Sequence, residues 1–216
     1  DAASAAMAKL SRLEHKDTDP KRLQRMLESR LKASQDSAER LGTLRQLMAA
    51  AAAAGDEDRV DSVAAGLLKI DPTDVSAFQA RRRIAAARED WTELATIYRA
   101  RANVVTDVDE KATLLFELGR VCLRRLGDLT RAQEALEEVL DQDPKHPGAL
   151  DALADLAYRR EDWAKARALY GVLSPEASSL GRSVVLYRAG VLDEMHGDAQ
   201  AAERSYRAAV EDNPAH

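Results

Sequence analysis

Cysteine is nearly absent from this 216-residue chain: Cys122 stands alone, so no disulfide framework can hold it together. Ten Gly and six Pro are few for the length, whereas sandwiches and barrels need many turns. No apolar run approaches the roughly 18 residues of a membrane-spanning helix; the longest weakly apolar block is Ala49 to Ala54. An excess of basic charge is also missing. The 32 Lys and Arg face 37 Asp and Glu, leaving a net charge of −5, which argues against a general nucleic-acid binder. Aromatics supply only 4% of the residues. What is abundant is Ala, with 41 residues in a chain that is 45% hydrophobic and 32% charged. That is a helical composition. Arg outnumbers Lys 24 to 8, which fits a GC-rich genome. The first residue is Asp1 with no charged-then-apolar leader pattern, so the chain reads as part of a longer, cytoplasmic protein.

Internal repetition is the strongest signal. Asp-Pro or Asn-Pro recurs at Asp71-Pro72, Asp143-Pro144 and Asn213-Pro214, spaced by 72 and 70 residues. Gly-Asp recurs at Gly55-Asp56, Gly127-Asp128 and Gly197-Asp198 with the same two spacings. An Asp before a helix start recurs at Asp19-Pro20, Asp90-Trp91 and Asp162-Trp163. Each long unit halves when Leu44-x-x-Leu47, Leu115-x-x-Leu118, Leu150-x-x-Leu153 and Leu186-x-x-Ala189 are aligned. The elementary unit is 34 residues, or 35 around an extra residue in Leu123-Arg124-Arg125-Leu126.

Leu at i and i+3 with a small residue at i+4 puts one apolar stripe on one helix face. Beyond each turn comes a small residue and, four on, a larger one: Val60/Ala64, Ala132/Leu136, Ala166/Tyr170 and Ala202/Tyr206. The small positions let a second helix approach closely. The Asp after each turn is placed to cap the next helix. Pro20 suits a first helical turn, and Pro72, Pro144 and Pro214 sit where one hairpin must stop.

With this order of Leu, small, bulky, Ala and Pro residues, the chain resembles the tetratricopeptide repeat family, most clearly over Phe116 to Pro144. The resemblance extends over the whole chain as six hairpins, near 4–37, 41–74, 75–108, 112–146, 147–180 and 183–216. The family's first aromatic is replaced by Met7, Leu44, Phe78, Leu115, Leu150 and Leu186, and Arg81-Arg82 stand where Leu-Gly is expected in the third hairpin. The resemblance implies an all-α, right-handed superhelical solenoid of antiparallel hairpins over residues 1–216 as one domain. It also implies further sequence beyond both ends, since each end would leave an apolar face without a capping helix.

No catalytic or metal-binding pattern appears. The four histidines are His15, His146, His196 and His216, with no HExxH, CxxC or phosphate-binding glycine motif. Neither metal nor cofactor is expected, and Cys122 reads as a buried core residue. His146, two residues beyond Pro144, reads as a surface turn residue. In this family the first helix of each hairpin lines a concave groove. Transferring the helical phase assigns Arg12, Arg45, Gln79, Arg83, Phe116, Arg120, Asp155, Tyr158 and Tyr187 to that surface. Asp151 and Arg188 fall on it as well. Arginines offer bidentate bonds to carboxylates, and the aromatics offer apolar anchors. The expectation is a non-catalytic scaffold that binds an extended or acidic peptide segment of a partner protein. Gln46 and Ala49 occupy slots where an Asn grip on a terminal carboxylate would be expected, which disfavours a chaperone-tail receptor. Two other readings remain open: a regulatory domain of a larger enzyme, and a self-assembling segment that stacks through uncapped ends. Membrane partners are not expected. Nucleic acid is disfavoured because Asp151 and Asp155 repel phosphate.

Overall fold

The computed structural model describes residues 19–173 and 179–214. Among them the structure is all-α, with no strand. The helices are α1 (Pro20–Ala33), α2 (Ser37–Ala53), α3 (Glu57–Ile70), α4 (Val75–Ala87), α5 (Trp91–Ala102), α6 (Val108–Val121), α7 (Leu129–Gln142), α8 (Pro147–Arg159), α9 (Trp163–Leu173), α10 (Ser179–Met195) and α11 (Ala199–Asp212). A five-residue π-helical segment, Cys122–Leu126, continues α6. No helix among the described residues is long and apolar enough to cross a membrane. The chain divides into two compact units, Asp1–Val104 and Val105–His216.

Aspartates start most of these helices. Beyond the turns, Asp56, Asp90, Asp128, Asp162 and Asp198 each accept a bond from the backbone N–H three residues on. The same geometry recurs at the heads of α2, α4 and α6, where Asp36, Asp74 and Asp107 are the caps. A carboxylate there satisfies a free amide and faces the positive end of the helix dipole. At α8 the cap is instead His146, whose Nδ1 accepts from the Ala149 N–H at 3.1 Å. Its ring lies 4.8 Å from that of Phe116. His146 is therefore half-buried rather than a free surface turn residue.

Helix ends repeat too. Gly55, Glu89, Gly127, Glu161 and Gly197 adopt positive φ, the left-handed step that reverses the chain after a helix. The next amide then bonds back to a carbonyl five residues earlier: Asp56 to Ala51, Asp90 to Ala85, Asp162 to Ala157 and Asp198 to Asp193. At the fourth hairpin it reaches six residues back, from Asp128 to Cys122, at 3.0 Å. The extra residue read in the sequence is thus absorbed as a π turn.

In the first unit, Leu27, Leu44, Leu47, Ala50, Val63, Ala64, Leu67 and Ala77 form one core that joins α1 through α4. Burying each leucine contributes about 1.5–3 kcal/mol. Ala51, Val60 and Ile84 make a second cluster between α2, α3 and α4. Arg81, at the position where Leu is expected, bonds to Asp61 of α3 and to Glu93 of α5. Ion pairs to both neighbours replace the apolar contact there.

In the second unit, Leu115 and Leu118 of α6 and Leu136 of α7 are fully buried. A Cβ on Gly119 would lie 2.7 Å from the Leu136 side chain, so only glycine permits this helix approach. Farther on, Leu150, Ala154, Ala157, Ala166, Tyr170, Leu173, Val185 and Leu192 form the core of α8, α9 and α10.

Candidate functional site

In the second unit, first helices of successive hairpins stand side by side and enclose a cleft of about 730 Å³. Phe116 and Arg120 enter it from α6, Leu123 and Arg124 from the π turn, Gly148, Asp151, Ala152, Asp155 and Arg159 from α8, and Arg188 from α10. Four arginines face two aspartates, a positive lining on a chain of net charge −5. A cleft with that local sign concentrates anionic partners despite the acidic whole.

Each charge has a definite setting. Arg120 bonds Glu117 at 2.8 Å and lies 5.9 Å over the Phe116 ring. Arg159 pairs with Asp155 at 2.9 Å. Arg188 donates to the Tyr170 hydroxyl at 3.0 Å and sits 3.7 Å from Asp151 and 4.0 Å from Asp155. Burial opposes the Arg188 charge, but the Tyr170 hydroxyl and the two aspartates outweigh it, and the pKa moves up. Burial pushes the Tyr170 phenol up as well, with Arg188 pulling the other way. Arg188 therefore remains a permanent cation on long, weak ion pairs.

A second recess of about 280 Å³ adjoins, lined by Asp155, Tyr158, Tyr170, Tyr187, Arg188 and Val191. Asp155 and Arg188 belong to both cavities. Tyr158 stands edge-on to Trp163, with ring centroids 5.3 Å apart, and Tyr187 lies 5.8 Å from Tyr206. Tyr187 is 49% exposed, so a ligand can reach its ring. The Tyr206 hydroxyl donates to Glu194 at 2.7 Å, and that bond, foremost, pushes its pKa up to about 12.

The first unit holds a shallower recess of about 330 Å³, where Gln79 and Arg83 of α4 meet Met48, Ala49 and Ala52 of α2. Arg83 has no hydrogen-bond or ion-pair partner among the described residues. Arg45 does not line this recess. It bonds Asp74 at 2.7 Å and Asp71 at 3.1 Å, tying α2 to the turn before α4.

The residues assigned from the sequence thus divide. Phe116, Arg120 and Asp155 meet in one cleft; Asp155, Tyr158 and Tyr187 meet in the next. Gln79 and Arg83 meet in the first unit, and Arg45 is held in an ion pair. Arg12 lies outside the described residues. Arg124 and Arg159 were missed, because phase transfer along an ideal α-helix does not follow a π turn. The 35-residue spacing was the signal that marked the place.

A chain of tandem helix hairpins, each capped and turned alike and presenting first helices to a shared cleft, is a helical-repeat protein. Residues 123–179 match the model of the tetratricopeptide repeat. The chain is a tetratricopeptide-repeat protein, and this fold serves as a scaffold for protein interactions. No curated protein matches it in sequence. Among solved structures it is similar to YrrB, described as a TPR protein with an unusual peptide-binding site, at TM-score 0.55 and 13% identity over 88% of this chain and 93% of that one. It is also similar to MamA, at TM-score 0.56 and 17% identity over 76% and 92%. A third likeness is to pilF of Pseudomonas aeruginosa, at TM-score 0.53 and 14% identity over 92% and 93%. At such identities the likeness is one of fold.

Proposed function

We propose that this chain is a non-catalytic interaction scaffold that binds an extended, acidic segment of a partner protein in the cleft of its second unit. The observation that carries the reading is the convergence of Arg120, Arg124, Arg159 and Arg188 around Phe116, beside a recess with an exposed tyrosine. Guanidinium groups form paired bonds to carboxylates, and Arg and Tyr are the residue types that dominate binding energy at interfaces. An extended segment would lay carboxylates against the arginines and an apolar side chain against Tyr158 and Tyr187. YrrB, by its description a peptide-binding TPR protein, supports the same use of this fold.

An array of acidic and neutral peptides, probed with the protein and with Arg120→Glu, tests the proposal. Preferential retention on acidic peptides that Arg120→Glu abolishes, with an unchanged helical circular dichroism spectrum, is the expected result. Equal retention of both proteins on all peptides contradicts it.

A further inference from the structure

The cleft arginines are not equivalent. Arg120, Arg159 and Arg188 are each held by an acidic or phenolic partner within the fold. Arg124 is exposed and has no hydrogen-bond or ion-pair partner among the described residues. It is also the arginine carried by the π segment Cys122–Leu126, where the hairpin has its one additional residue. The insertion leaves the packing on either side intact: Leu118, Cys122 and Leu136 remain buried around it. Its visible consequence is at the cleft wall, to which Leu123 and Arg124 both contribute.

A π turn has poorer backbone geometry than the α-helix it interrupts and recurs at functional sites. We infer that this one is a specificity device: the inserted residue presents Arg124 to the cleft as the uncommitted cation that receives an acidic side chain of the bound segment. A paired arginine must give up an internal bond before it accepts a ligand carboxylate. Arg124 gives up only water. Its planar fork accepts the carboxylate through two parallel bonds, which a lysine cannot reproduce. Leu123 beside it supplies an apolar edge that shields the contact from solvent. The inference rests on the proposed function, since it names the residue that selects acidic over neutral segments at the same site.

The test is fluorescence anisotropy with the full chain and two fluorescein-labelled peptides, one of Glu and Leu and the other with every Glu replaced by Gln. The wild type is expected to prefer the Glu peptide. Arg124→Gln is expected to lower that affinity about tenfold or more, as loss of a hydrogen bond to a charged group does, and to leave the Gln peptide unaffected. Arg124→Lys should fall between the two. Deletion of Arg125, which restores the 34-residue spacing, should keep the helical spectrum and lose as much affinity as Arg124→Gln; if that variant does not fold, Arg124→Gln decides alone. A wild type that prefers the Glu peptide while Arg124→Gln binds it equally overturns the inference and leaves the acidic-cleft reading standing. A wild type with no preference overturns both.

Discussion

Phe116 rests directly on the backbone of Gly148: a Cβ built on that glycine would lie 2.5 Å from the phenyl ring. The contact joins α6 to the first turn of α8 at the floor of the cleft. Phe116 is held there from a second side by His146, the α8 cap. Gly148→Ala is expected to displace the ring, at a cost of about 1–3 kcal/mol for overpacking a filled site. Urea denaturation measures that cost. Peptide affinity should fall as well, since the ring supports Arg120.

The ion pair between Arg45 and Asp74 sets a pH dependence for the first unit. Asp74 is buried, which alone would raise its pKa. Bonds from the Ser76 hydroxyl, the Ala77 N–H and Arg45 outweigh burial and lower it. A carboxyl with a folded pKa below its unfolded value of about 3.9 contributes its full stability above that value. The contribution is lost as pH falls through the lower, folded pKa. Asp74→Asn is expected to cost about 1–2 kcal/mol at pH 7, from a weakened cap and a lost charge-assisted bond. Thermal midpoints of both proteins at pH 7, 5 and 3 should show the gap closing only in the acid range. A gap independent of pH would contradict this assignment.

Two helical glycines make opposite predictions. Gly119 faces Leu136, and an added methyl would collide with it. Gly119→Ala should destabilise the second unit by about 1–3 kcal/mol. Gly66, inside α3, has nothing within 4 Å of its would-be Cβ. There Ala should stabilise by roughly 0.5–1 kcal/mol, the ordinary cost of glycine in a helix interior. Chemical denaturation of both variants checks the pair.

Local features of the fold were legible in the sequence because they depend on neighbouring residues. The capping role of Asp56, Asp90, Asp128, Asp162 and Asp198 follows from a turn and an Asp in succession, and each accepts the expected bond. The extra residue after Cys122 was countable before its π geometry was seen. The site was less legible, because it depends on pairings distant in sequence. Arg45 looked like a groove residue by helical phase, yet its partners Asp74 and Asp71 lie 29 and 26 residues away. Asp36, Asp74 and Asp107 cap helices outside the turn pattern, so no periodic signal marked them. His146 takes a cap position that proximity to a proline did not reveal.

The central claim, that the cleft around Phe116 binds acidic extended segments, is tested most directly by amide NMR of the full chain titrated with the Glu and Leu peptide. The account predicts shift changes concentrated at Phe116, Arg120, Arg124, Asp155 and Arg188 that the Gln peptide does not produce. Changes confined to other surfaces, or equal changes with both peptides, would contradict it.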